Sequence, residues 1–261
     1  MSSTVRRRSL PDLLNLSGRV AIVTGATRGL GRAIAQGLAE AGADVVVASR
    51  KADACDRVAA ELTKGTPGSG TPIACHVGRW DDCDRLIDET IQQMGRLDVL
   101  VNNAGMSPLY SSLDAVTEEL YDKTLGVNLK GPFRLAVLAA THMAAHEGGS
   151  IINISTGGSL VASPSQLPYA CAKAGINAMT VGLADAFAPK VRVNCVQPGP
   201  FRTDSSRGWA PPEGEDVPFV PMGRMGRPEE IFPLIVHLAS DASSFTTGAS
   251  IRVDGGVTRK V

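Results

Sequence analysis

A chain of 261 residues, 43% hydrophobic and 20% charged, can bury a full core as one large domain or two small ones, which argues against a chain disordered as a whole. Lysine plus arginine and aspartate plus glutamate both number 26, and the zero net charge offers no long-range attraction to nucleic acid or to an anionic membrane surface. Five cysteines (Cys55, Cys75, Cys83, Cys171, Cys195) form no CxxC pair and are odd in number, which argues for reduced thiols in a cytoplasmic protein and against a disulfide framework or a metal site.

In chain order, the first sixteen residues are rich in arginine and serine, with Asp12 their single acid. They are expected to be a flexible tail through residue 15, a weak transit-like sequence being the competing reading. The run RVAIV (19–23) predicts the first strand, and VTGATRGLG (23–31) then turns into a helix marked by Leu30, Ala33, Ile34, Gly37, Leu38 and Ala41 at the 3.6-residue period. Gly25, Gly29 and Gly31 permit a tight turn and close approach of a pyrophosphate to a helix N-terminus, whose free N–H groups and positive dipole end attract it. The spacing is G-x-x-x-G-x-G rather than G-x-G-x-x-G.

DVVVA (44–48) predicts a second strand, ending beside Ser49 and Arg50. KGTPGSGTP (64–72) reads as a surface turn, and PIACHV (72–77) as a third strand. A helix follows, with Leu86, Ile87, Thr90, Ile91 and Met94 on one face and Gly95 closing it. LDVLV (97–101), SIINI (150–154), VRVNCV (191–196) and SIRV (250–253) complete seven strands, and no transmembrane-length apolar run of roughly 20 residues interrupts them. Strands buried on both faces and separated by helices mean right-handed parallel crossovers. The expected fold class is α/β: a single doubly wound Rossmann-type domain over 16–261, with a seven-stranded parallel sheet flanked by helices.

Between the fifth and sixth strands, PYACAKAG (168–175) puts a phenol and an ammonium four residues apart. On a helix Tyr169 and Lys173 share a face, with Cβ atoms roughly 5–6 Å apart. Alone, the pair fits a satisfied core tyrosine beside a snorkelling lysine better than it fits a catalytic acid. The stretch 198–222 is the one connection long enough to be a functional loop.

The ordered set TGxxxGxG, NNAG (102–105), VNLKGPF (127–133), IINIS (151–155), YxxxK and VQPGPFRTD (196–204) resembles the compact branch of the short-chain dehydrogenase/reductase family, from about Leu16 to Gly256. The resemblance implies an oxidoreductase that interconverts a small-molecule carbonyl and an alcohol by hydride transfer. Its catalytic residues would be Asn128, Ser155, Tyr169 and Lys173. Tyr169 would be the acid, Ser155 would bond the substrate oxygen, and Lys173 would lower the phenol's pKa while holding the nicotinamide ribose. Pro132, four residues after Asn128, lacks an N–H and would leave the Asn128 carbonyl without its helical partner. A water there would continue a proton relay.

The same resemblance places the coenzyme against Gly25, Thr27, Arg28, Gly29, Leu30, Gly31, Ser49, Arg50 and Val77. It adds Asn103, Ala104, Gly105, Tyr169, Lys173, Pro198, Gly199 and Thr203. Ser49 stands where NAD-specific proteins carry an acid that repels a 2′-phosphate, and Arg50 and Arg28 flank it, so NADP(H) is expected. Where the family usually ends its third strand in Asp-Val, this chain has His76-Val77; either His76 meets the adenine or only the backbone at Val77 does. A substrate lid over 200–222 and a homotetramer or homodimer are further implications. The competing function is a non-catalytic nucleotide-binding sensor or scaffold on the same fold, which would tolerate loss of Tyr169 or Lys173.

Overall fold

The computed structural model describes residues 8–258. Its strands are β1 (Val20–Thr24), β2 (Asp44–Ser49), β3 (Gly70–Ala74), β4 (Val99–Asn102), β5 (Gly149–Ile154), β6 (Val191–Pro198) and β7 (Ser250–Val253). They form one sheet in the order β3-β2-β1-β4-β5-β6-β7, each neighbouring pair parallel. The helices are α1 (Leu10–Leu14), α2 (Gly29–Glu40), α3 (Ala52–Gly65), α4 (Trp80–Met94), α5 (Glu118–Leu125), α6 (Gly131–Ala145), α7 (Leu167–Phe187) and α8 (Phe232–Ala239).

Strand alternation sorts the core into two layers. Ala21, Val23, Val45 and Val47 pack with Ile34 and Leu38 of α2, Val58 and Leu62 of α3, and Ile235 and Leu238 of α8. Ile22, Val46, Leu100 and Ile151 pack with Leu86 and Ile87 of α4, Leu135 and Met143 of α6, and Leu183 of α7. Both faces of the sheet are therefore covered, which is why its central strands read as unbroken apolar runs. Gly95 closes α4 at φ 74°, its N–H donating to Ile91 O.

Most strand ends fall within two residues of expectation, and three differences have a clear physical reason. The third strand spans 70–74 rather than 72–77, so part of the expected surface turn is strand and His76-Val77 lie beyond its end. Pro72 is tolerated because β3 is an edge strand, where a missing N–H costs no ladder bond on the open side. The fourth strand extends to Asn102, whose Nδ2 donates to Asn153 Oδ1 at 3.0 Å across the β4–β5 register. The expected tail is helical at Leu10–Leu14: Ser9 and Asp12 make a reciprocal capping box, and Arg8 pairs with Asp241. Residues 1–7 of that expectation lie outside the described residues.

Parallel pairing puts every strand's carboxyl end at one edge. The connections after β1, β4, β5 and β6 meet there. At the opposite edge Arg19, just ahead of β1, also bonds Asp241. Arg192, near the start of β6, donates to Leu238 O and Ser240 O.

Candidate active site

At the carboxyl edge, Thr24 ends β1, and its hydroxyl accepts from the N–H groups of Asn103 and Ala104 at 3.0 Å each. Asn103 Nδ2 returns a bond to Thr24 O at 2.9 Å. The NNAG turn thus clamps the glycine loop from the β4 side. A Cβ on Gly31 would fall 2.3 Å from both Asn103 Nδ2 and Gly25 O, so only glycine permits that approach. Gly29 opens α2 at φ +53° after Arg28, whose side chain makes no cap bond. The first turn of α2, with half-buried Leu30, therefore has no side-chain cap, and the Thr203 side chain lies against Gly29.

Thr27 Oγ1 donates to Ser49 Oγ at 3.1 Å, joining the loop to the end of β2. Arg28 and Arg50 are exposed, and among the described residues neither is held in an ion pair, whereas Arg32 binds Glu61 and Arg57 binds Asp53. An uncapped helix start beside two unneutralised guanidiniums suits a ligand carrying phosphates. On the β3 side, Cys75 N–H donates to Ser49 O at 2.9 Å, and buried Val77 follows. His76 Nδ1 accepts from Gly78 N–H at 3.1 Å, so its neutral ring carries the proton on Nε2.

Ser155 follows β5, only 4% exposed, and its Oγ donates to Lys173 O at 3.1 Å. Lys173 is buried, and its Nζ donates to Ile154 O at 2.7 Å. Gly105 brings the NNAG turn to the same place: a Cβ there would lie 2.9 Å from Asn128 Oδ1 and 3.8 Å from Lys173 Nζ. Asn128 and Lys173 thus converge beside Gly105, with Ser155 bonded to the Lys173 main chain and Tyr169 one turn before Lys173.

The electrostatics differ from expectation. Lys173 is not what sets the Tyr169 phenol, which is pushed up to about 12 by burial, with a hydrogen bond from Thr156 opposing. Burial also brings Lys173 down to about 8, the nearby Cys195 acting in the other direction. Lys173 Nζ sits 5.8 Å from the Tyr169 ring centre and is committed to Ile154 O, so its charge is both weakened and turned aside.

Asn128 also sits in unexpected geometry. Gly126–Lys130, between α5 and α6, is a π-helical turn in which Gly131 N–H donates to Gly126 O. The wider turn is how the chain admits Pro132, in place of an α-helix with one bond missing. The Asn128 side chain is fully used: Nδ2 donates to Met106 O and Thr124 O, and Oδ1 accepts from Met106 N–H.

Pro198 ends β6, and Gly199 N–H donates to Val253 O at 2.9 Å. Within 200–222, Arg202 donates to Pro211 O and Pro212 O, while Trp209, Phe219 and Met222 are exposed. A cleft of about 980 Å³ between α2 and 202–210, lined by Arg32, Gln36, Thr203, Asp204, Arg207 and Phe232, does not reach Ser155 or Tyr169. Sequence reasoning missed Thr24 and Thr156. Thr24 had a signal, as the first letter of TGxxxGxG; Thr156 had only its place next to Ser155.

Residues 25–258 match the family model described as Enoyl-(Acyl carrier protein) reductase. Dehydrogenase/reductase SDR family member 4 of Homo sapiens is 38% identical over 245 residues, spanning 92% of this chain and 88% of that protein. A short-chain type dehydrogenase/reductase from Mycobacterium marinum has a similar structure, with TM-score 0.88 and 37% identity over 97% of this chain and 100% of that one. A gluconate 5-dehydrogenase from Burkholderia cenocepacia J2315, in complex with NADP and tartrate, has TM-score 0.88 and 33% identity, covering 97% and 100%.

Proposed function

This chain belongs to the short-chain dehydrogenase/reductase family, and we propose that it is an NADP(H)-dependent oxidoreductase interconverting a small-molecule carbonyl and its alcohol, with Tyr169 as acid and base. The observation that carries the reading is the convergence of Asn128 and Lys173 beside Gly105, with Ser155 bonded to the Lys173 main chain, Tyr169 one helical turn away and the glycine loop clamped to the same turn. The coenzyme supplies or accepts the hydride. The first turn of α2 and Thr203 would hold its pyrophosphate, and Arg28, Arg50 and Ser49 its 2′-phosphate.

Burial keeps the Tyr169 proton in place at neutral pH, which suits a donor to a carbonyl oxygen that is gaining charge. Ser155 Oγ would turn from Lys173 O to donate to that same oxygen, and Lys173 would favour the phenolate left behind once its Nζ turns from Ile154 O toward it. The four-residue spacing of Tyr169 and Lys173 differs from the six-residue spacing of the enoyl-reducing branch, so a carbonyl is the better substrate than a carbon–carbon double bond. NADP in the Burkholderia neighbour supports the coenzyme assignment. A cytoplasmic homotetramer or homodimer completes the reading; no described helix is long and apolar enough to cross a membrane, and no group of three metal-binding side chains occurs among the described residues.

The test follows coenzyme absorbance with NADPH and with NADH against ketones, aldehydes, 3-oxoacyl thioesters, steroids and polyols. Two guanidiniums on one phosphate should give about a hundredfold preference for NADPH in kcat/KM. Equal values, or higher ones with NADH, overturn the coenzyme assignment. Binding of NADPH without turnover of any carbonyl would instead establish the sensor.

A further inference from the structure

The hydroxyl of Tyr110 joins two segments far from it in sequence: it donates to Pro164 O at 2.5 Å and accepts from Leu167 N–H at 2.8 Å. Leu167 is the first residue of α7, and Gln166 before it makes no side-chain cap bond. The N–H groups of a helix's first turn have no partner within the helix. Pro168 has none to offer, so Leu167 N–H is the first donor that needs an acceptor, and a phenol from another loop provides it. Tyr169 stands two residues further on.

The loop bearing Tyr110 is itself anchored. Asn128 bonds both the N–H and the carbonyl of Met106, four residues earlier. The loop is therefore held at both ends, by the π-turn at Met106 and by the start of α7 at Tyr110, with only three residues between the two anchors. The bond to Pro164 O also ties down the stretch between Ser155 and α7.

We propose that Tyr110 is a positioning residue: its hydroxyl caps α7 and so fixes the place of the Tyr169 phenol, without touching the substrate. The proposal rests on Tyr169 as the acid. A displacement of about 1 Å at a reacting group can cost about a hundredfold in rate, whereas losing two neutral hydrogen bonds on a half-exposed loop costs little stability. The two effects can be separated.

Tyr110→Phe keeps the ring, and the full-length variant should melt within about 4 °C of wild type. In the coenzyme-free protein, amide hydrogen exchange at Leu167, Tyr169 and Ala170 should rise about tenfold, with Ile176 unchanged; unchanged exchange at Leu167 overturns the cap. With NADPH and whichever carbonyl of the panel wild type reduces fastest, kcat should fall about tenfold with KM for NADPH unchanged. In a Tyr169→Phe background the same change should cost nothing further. An equal loss in both backgrounds, or a loss confined to KM, overturns the positioning role. If Tyr169→Phe alone keeps the wild-type rate, the acid assignment fails, while the exchange result still decides the cap.

Discussion

Lys173 and Tyr169 carry opposite consequences of the same burial. The ammonium's folded pKa of about 8 lies below its ordinary 10.5, so the folded state disfavours the charge. Below pH 8 that penalty is fully present; between 8 and 10.5 the folded lysine is neutral while the unfolded one is still charged, and stability rises with pH. Measured against Lys173→Met in denaturant melts at pH 7 and pH 10, wild type should gain up to about 3 kcal/mol in relative stability at the higher pH. A flat difference would show that the ammonium is well solvated. Tyr169→Phe should fold and bind NADPH but lose about a thousandfold in rate, since a positioned acid contributes 10²–10⁴; activity within about tenfold of wild type would remove Tyr169 from the chemistry. At the coenzyme end, a carboxylate at position 49 would accept from the Thr27 hydroxyl that now meets Ser49. The Ser49→Asp, Arg50→Ala double variant should therefore be tolerated and move the NADPH/NADH ratio of kcat/KM about a hundredfold toward NADH. No movement would mean that these residues lie away from the 2′-position.

The turn between α5 and α6 is the element on which the site depends most. Pro132→Ala restores an N–H where the chain now lacks one, so Gly126–Lys130 should tighten toward α-helical register and shift the Asn128 side chain against Met106. The expected result is about a tenfold fall in kcat, with NADPH affinity changed less. A variant with unchanged rate and a retained π-turn would show that Pro132 does not set the register. The sequence revealed that a bond must fail at residue 132, but not how the chain would absorb it, because the choice between a kink and a wider turn is made by packing against Val77 and α7. Other elements were legible to different degrees for similar reasons. α2 and α4 announced themselves through an apolar stripe, whereas α1 is too short to show a period. Gly70-Thr71-Pro72 reads locally as a turn and becomes strand through pairing with β2. Tyr169 and Lys173 were legible as a pair from spacing and Ser155 from the family resemblance; the direction of Lys173 Nζ toward Ile154 O and the reach of Tyr110 were not, since both bonds are set by tertiary structure.

Across the whole molecule, the described surface keeps several large apolar side chains in water: Tyr121 on α5, Phe133 on α6, Val181 on α7, and Phe245 ahead of β7. Apolar groups left on three neighbouring helices fit a surface that a second copy covers. Light scattering should give a dimeric or tetrameric mass, and Phe133→Glu should lower it; a monomeric wild type would end the oligomer reading. The parallel sheet also makes the two ends of the chain unequal. Arg8 is tied to Asp241 at the amino edge, across the molecule from the cleft, while Thr258 lies against Gly157, in the loop that continues from Ser155. A purification tag or fluorescent protein fused to the chain end that leads into Arg8 should leave turnover unchanged. The same fusion placed after Thr258 starts beside Gly157, two residues from Ser155, and should lower turnover.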